Sequence, residues 1–305
     1  MQVNTLTIRG HLATYVDWNN SSGESSNTIN RQVRAHFYAA NGYPVQVYEP
    51  LMKLLAEKLA LEALHNRAQW PHIGQPKGTV RWQTYANDLI DFLDFRQQTE
   101  NTGSIIGIGH SMGATSTIFA AAKRPDLFSQ LILIEPAALS QTKSWLMNRI
   151  PLSLRRKYIQ PGKSTLTRRN RWKNRAVLRG QLDNWKSLDG ISQASLDSFA
   201  NHLVIDKGDE VELAFPREWE AHNFFHPSSI WSKLKKVQCP ITIIRSEAGI
   251  FFDESMWNYW KKLRPQDHIE YISGYGHLLP LQAPELCAEK IELALNYVYQ
   301  KSIKH

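Results

Sequence analysis

Apolar residues recur at helical spacing over Val47–Leu61, where Leu51, Leu54, Leu55 and Leu59 share one side and predict an amphipathic helix. Thr84–Phe95 follows the same rule. Between and after these lie short β-rich or continuous apolar runs that predict strands: Asn4–Arg9, His11–Asp17, Gln32–Ala39, a piece near Leu61–Leu64, Ser104–Gly109, Gln130–Ile134, Ile241–Ile244 and Ile269–Ile272. Met112–Lys123, Glu254–Leu263 and Pro284–Tyr299 complete the pattern as helices, the last with Pro284 in its first turn. The polar stretch Asn19–Asn30 reads as a loop, and Asn41-Gly42-Tyr43-Pro44 as a turn. Strands alternating with helices imply a doubly wound, mostly parallel α/β sheet.

The alternation breaks between about Leu139 and Val237. This interval reads as mainly helical and holds five of the ten tryptophans: Trp145, Trp172, Trp185, Trp219 and Trp231. It is expected to form a cap (139–237) inserted into a core made of 1–138 and 238–305. The charge is concentrated there. Lys143 to Lys186 contains 13 Lys or Arg and one acid, Asp183, so it carries +12 of a total of +8 and the rest of the chain is net −4. A basic protein could suggest nucleic acid, but the charge belongs to the insert, and no nucleic-acid-binding signature accompanies it, so that class is set aside. An acidic membrane surface touched peripherally by the basic cap is a partner the charge allows. The cysteines, Cys239 and Cys287, sit in unrelated contexts, against a disulfide scaffold or zinc ribbon. Met1–Gly10 has neither the basic nor the apolar part of a signal peptide, and no apolar run reaches membrane-spanning length; a cytoplasmic protein is expected.

Chemistry concentrates at Gly109-His110-Ser111-Met112-Gly113, a G-x-S-x-G motif between a buried strand and an alanine-rich helix. So tight a turn needs its flanking glycines and presents the hydroxyl of Ser111 at the sheet edge, where the helix start adds partial positive charge. The glycine spacing Gly107, Gly109, Gly113 is one residue too long for a dinucleotide fingerprint. A serine needs a base, and of the eleven histidines His277, in Gly274-Tyr275-Gly276-His277-Leu278-Leu279-Pro280, follows the last strand and precedes the last helix.

With these motifs the chain resembles the α/β-hydrolase family. The resemblance covers roughly 1–138 and 238–305 and implies the α/β-hydrolase fold with the order serine, acid, histidine. Asn41-Gly42-Tyr43 looks like the family's loop after the third strand, with Asn-Gly-x for the usual His-Gly-x; the resemblance then implies an oxyanion hole of the backbone N–H groups of Tyr43 and Met112.

The acid is the irregular member. After Ile241–Ile244 the position matching the family's usual aspartate is Gly249 or Ile250, neither of which can orient a histidine. The family's second solution places the acid at the end of the strand after the nucleophile helix, as in some haloalkane dehalogenases. That position is Glu135, 24 residues past Ser111, a carboxylate at the tip of an apolar strand that is costly to bury without a partner. Asp253 and then Glu247 are the alternatives.

Serine at the elbow favours acyl transfer to water over carboxylate-nucleophile chemistry. The expected activity is hydrolysis of a carboxylic ester or related acyl compound, with Ser111 as nucleophile, His277 as base and Glu135 as acid, and with no cofactor or metal. His222-x-x-x-His226 has metal-like spacing but lacks a third ligand in the sequence. Trp145, Leu146, Met147, Ile150, Leu152 and Leu154 form a candidate pocket lining for a small apolar or aromatic substrate. A thioesterase, a C–C bond hydrolase with the same triad, or a non-catalytic ligand-binding relative are the rival readings.

Overall fold

Eight strands pair into one sheet in the order β1-β2-β4-β3-β5-β6-β10-β11 in a computed structural model that describes residues 1–19, 33–100, 103–247 and 251–303. They are β1 (Gln2–Ile8), β2 (His11–Asp17), β3 (Arg34–Tyr38), β4 (Ala60–Leu64), β5 (Ile105–His110), β6 (Phe128–Ile134), β10 (Ile241–Arg245) and β11 (His268–Tyr271). β2 is antiparallel to both its neighbours; from β4 to β11 every pairing is parallel. All six residues of β5 are buried, as expected of a central strand covered on both faces. The loop expected at Asn19–Asn30 lies outside the described residues from position 20 onward.

Helices cover both faces. α2 (Trp82–Glu100), α3 (Met112–Lys123) and α11 (Glu254–Leu263) bury one apolar cluster that includes Leu89, Phe92, Ile118 and Trp260. α1 (Glu49–Ala56) and α13 (Pro284–Ile303) bury a second on the opposite face, with Leu51, Leu55, Ile108 and Ile291. The helix expected over Val47–Leu61 is shorter than its periodicity suggests. A 3-10 turn at Val45–Tyr48 leads into α1, and the Ala60 N–H is drawn to the Val33 carbonyl (3.0 Å), so Leu61 and Leu64 join the sheet. Apolar residues at a helix end and in the following buried strand look alike in sequence.

Between β6 and β10 run α4 (Gln141–Arg149), α5 (Leu152–Tyr158), α6 (Gly162–Thr167), α7 (Arg175–Leu182), α8 (Gln193–His202), α9 (Arg217–Phe225) and α10 (Trp231–Leu234). The mainly helical expectation for this interval missed an antiparallel sheet of β7 (Arg171–Trp172), β9 (Glu210–Leu213) and β8 (Val204–Lys207), in that order. The β8–β9 hairpin turns at Gly208, with φ of +64°, and its charged outward residues hide the strand alternation. A short α12 (Leu279–Gln282) completes the helices. No described helix is long and apolar enough to cross a membrane.

Three buried histidines set an acid limit on this fold. Burial pushes His36 and His110 down to about 3 and His65 to about 4 from an ordinary 6.5. Their folded pKa values are depressed, so the stability is present above about pH 6.5 and is lost as pH falls, because the unfolded chain takes up protons that the folded chain refuses. The loss is about 1.4 kcal/mol per pH unit per histidine between roughly 6.5 and 4. The buried carboxylates Glu62, Asp88 and Asp267, raised by burial, act in the opposite direction once they protonate. The histidine effect is therefore read above about pH 5. Thermal melts should be flat above about pH 7 and fall steeply below about 6; a midpoint unchanged down to pH 5 would refute the assignment.

Candidate active site

Ser111 stands between β5 and α3 with φ 54° and ψ −120°, a conformation rare for a residue with a Cβ. Its N–H donates to the Ile134 carbonyl (3.0 Å), and its carbonyl accepts from the Ala137 N–H (3.3 Å), so the end of β6 clamps the turn from both sides. The flanking glycines are steric requirements. A Cβ on Gly109 would fall 2.6 Å from the Ala114 nitrogen, and one on Gly113 would fall 2.1 Å from the Tyr38 carbonyl oxygen.

His277 lies in the loop between β11 and α12, with Nε2 2.8 Å from Ser111 Oγ. Its Nδ1 is 3.4 Å from Glu135 Oε2, a long hydrogen bond of the kind that tightens as charge develops during reaction. The carboxylate can only accept, so Nδ1 carries the hydrogen and the Ser111 hydroxyl donates to Nε2. Glu135, at the tip of β6, has a left-handed backbone, φ 46°, and is 5% exposed. Its other oxygen accepts from the Ser246 N–H and, at 3.1 Å, from the Ser246 hydroxyl. Ser246 thus holds the carboxylate toward the imidazole, and Phe251 packs against the His277 ring, centroids 4.6 Å apart.

The other acids are engaged elsewhere. Asp253 caps α11 by accepting from the Met256 N–H (3.0 Å), and Glu247 accepts from the Gly274 N–H (3.3 Å). Gly249 and Ile250 lie outside the described residues.

Sequence reasoning passed over His110, the x of G-x-S-x-G. This buried ring donates from Nε2 to the His277 carbonyl (2.8 Å) and accepts at Nδ1 from the Tyr48 hydroxyl (2.8 Å). Tyr48 in turn accepts from the Ala40 N–H (3.3 Å), which joins the ends of β3 and β5 to the histidine loop. With its pKa near 3, His110 stays neutral and keeps this donor pattern. Ser246 was missed as well; the available signals were a histidine beside Ser111 and a hydroxyl residue one step past β10.

The two expected oxyanion donors are placed differently. Met112 begins α3, so its N–H has no partner within the helix, and Met112 lines the same cavity as Ser111. The Tyr43 N–H instead donates to the Ala40 carbonyl at 3.3 Å, because the Ala40–Tyr43 turn closes on itself. Tyr43 lines a separate cavity of about 290 Å³ with Arg168 and Glu220, whose wall does not include Ser111. Asn41 reaches the Ser111 cavity, and its side chain is locked onto α9. It donates to the Glu220 carbonyl (3.0 Å) and accepts from Asn223 Nδ2 (2.8 Å). Asn223 also accepts from the Tyr85 hydroxyl (2.7 Å) and the Trp82 indole (3.1 Å).

The Ser111 cavity measures about 180 Å³ and is walled by Trp82, Met147, Ile159, Pro161, Phe224 and Phe251 among others. Of the six cap residues expected to line it, Met147 does so. Trp145, Leu146 and Leu154 point into water at 59%, 58% and 47% exposure, because α4 turns only the side of Met147 to the cavity and no residue of α5 lines it, and Ile150 and Leu152 are half-buried outside its wall. The paired histidines of α9 serve packing: His222 Nε2 donates to the Val80 carbonyl (3.1 Å) and His226 Nδ1 to the His222 carbonyl (2.8 Å).

A solved E-2-(acetamidomethylene)succinate hydrolase superposes with a TM-score of 0.75 over 97% of this chain and 99% of that one, at 17% identity. A peroxisomal α/β-hydrolase of Saccharomyces cerevisiae gives 0.72 over 97% and 88%, at 16% identity. The family described as serine aminopeptidase, S33, matches residues 66–184. The chain has the α/β-hydrolase fold. Two curated relatives are similar over shorter segments. Mouse monoglyceride lipase is 35% identical over 63 residues, 21% of each protein. The 2-(acetamidomethylene)succinate hydrolase of Mesorhizobium japonicum is 30% identical over 98 residues, 32% of this chain and 34% of that one. The matched segments thus span about a fifth to a third of those relatives.

The turn geometry makes a stability prediction. Gly113→Ala should cost about 1–3 kcal/mol, since the new methyl meets backbone that has no room to move. Thermal or urea unfolding checks it, and a variant as stable as wild type would show that the elbow is looser than described.

Proposed function

We propose that this α/β-hydrolase is a serine hydrolase that cleaves a carboxylic ester or closely related acyl compound through an acyl-serine intermediate. The observation that carries the reading is the 2.8 Å contact between His277 Nε2 and Ser111 Oγ on a strained backbone, with the Glu135 carboxylate against the far ring nitrogen. His277 takes the hydroxyl proton as Ser111 Oγ attacks the acyl carbon, and Glu135 stabilises the resulting imidazolium. The oxyanion forms at the start of α3, where the Met112 N–H and the helix's positive end face it. The Tyr43 N–H joins as second donor on leaving the Ala40 carbonyl. His277 then passes its proton to the departing alcohol, and water, deprotonated by the same ring, releases the acid and frees the serine.

A cavity of about 180 Å³, apolar on most sides, favours a small acyl or aryl substrate over a long chain. The absent aspartate near Ile250 favours a non-catalytic relative; the Glu135 carboxylate beside His277 supports an enzyme instead. Cleavage of a thioester or a C–C bond uses the same groups and remains the second reading.

A fluorophosphonate probe should label the protein at Ser111, with labelling abolished in Ser111→Ala; folded wild type that stays unlabelled would refute the proposal. Among p-nitrophenyl esters, acetate and butyrate should be turned over faster than decanoate. A preference for thioester or diketone substrates over every ester would support the second reading.

Glu135→Gln should lower kcat on the order of 10³-fold or more, because an amide favours the wrong imidazole tautomer, while Asp253→Asn should stay within about threefold of wild type. The reverse result would move the acid to Asp253.

A further inference from the structure

The three most exposed large apolar side chains among the described residues are Tyr158, Trp145 and Leu146, at 64%, 59% and 58%. Leu154 adds a fourth at 47%, so all four fall within residues 145–158, on α4 and α5. Leu154 and Tyr158 are one turn apart and share a side of α5. The same helices carry exposed Arg149, Arg156 and Lys157, and no Asp or Glu occurs anywhere between Glu135 and Asp183. The Arg149 guanidinium lies 3.4 Å from the Trp145 ring centroid, and Lys157 Nζ lies 5.1 Å from that of Tyr158. Apolar and cationic groups are thus interleaved, and the ion pair described for these helices is the exposed 3.9 Å contact of Lys143 with Asp253.

We propose that α4 and α5 form a docking face for an anionic lipid bilayer. Aromatic rings and leucines partition into the headgroup boundary, and flanking cations are drawn to the negative surface. Charge orients the molecule: α4 and α5 carry Lys143, Arg149, Arg155, Arg156 and Lys157 and no acid, while the chain outside the Lys143–Lys186 interval is net −4 and is repelled. The same charge disfavours a second copy on this face, since two such surfaces repel each other. Nucleic acid would use the cations but has no place for Leu146 and Leu154. The docking face also adjoins the candidate active site, because Met147 of α4 and Ile159 and Pro161 just after α5 wall the Ser111 cavity.

Co-sedimentation of the full chain with vesicles tests the proposal without reference to catalysis, so Ser111→Ala should bind as wild type does even if the serine-hydrolase reading fails. Binding to phosphatidylcholine vesicles containing roughly a third phosphatidylglycerol should be at least about tenfold tighter than to pure phosphatidylcholine, and should weaken with salt. Two variants separate the contributions: W145S/L146S/L154S/Y158S and R149E/R156E/K157E. Each alters exposed side chains, should keep the wild-type circular dichroism and melting midpoint, and should lose about tenfold or more in vesicle affinity. No vesicle binding by wild type would overturn the proposal, as would binding that both folded variants retain. A dimer by size exclusion that the apolar variant dissociates, without vesicle binding, would overturn it in favour of self-association.

Discussion

At the centre of the sheet's carboxyl edge, Ser111 is held in left-handed backbone despite its side chain. Ser111 adopts φ 54° because β5 must end, reverse and become α3 within one residue, and its neighbours leave no other path. β6 accepts its N–H, Ala137 donates to its carbonyl, and Gly113 lies against the backbone of β3. Such a conformation costs on the order of 1–3 kcal/mol and persists only where the surroundings over-determine it. The hydroxyl, the open N–H at the helix start and the approach of the His277 loop all follow from that one turn.

The imidazole is fixed as firmly from behind as the serine is from below. His110 holds the backbone of His277, Phe251 packs on its ring, and Ser246 holds the carboxylate that faces it. Glu135 itself is a second left-handed residue, at the end of the neighbouring strand. Two strained strand tips side by side, with a buried carboxylate between them, place the polar groups of the site in a wall of otherwise apolar strands.

Much of this was legible because it depends on local pattern. Met112–Lys123 and Glu254–Leu263 were readable to the residue, since each has an unbroken periodicity and a sharp boundary: the elbow before one, the Asp253 cap before the other. Ser111 and His277 were legible from glycines packed around a serine and around a histidine. What escaped depends on distance in sequence. The turn that engages the Tyr43 N–H, the reach of His110 toward residue 277 and the hydroxyl of Ser246 become visible only when strand ends are brought together. The β8–β9 hairpin escaped for a different reason, because its outward charges outnumber its three buried residues, Val204, Val211 and Leu213.

The inserted segment is attached unevenly. On the side of α9, Asn223 and Asn41 share a buried hydrogen bond, and Trp82 and Tyr85 of α2 reach up to the same asparagine. On the side of α4, the ties are an exposed 3.9 Å ion pair from Lys143 to Asp253 and backbone bonds near Leu139. One edge of the roof is riveted and the other merely rests in place. The side chains that tie the cavity wall to the sheet are thus concentrated at the α9 edge, and the α4 edge is the one whose displacement breaks the fewest buried bonds.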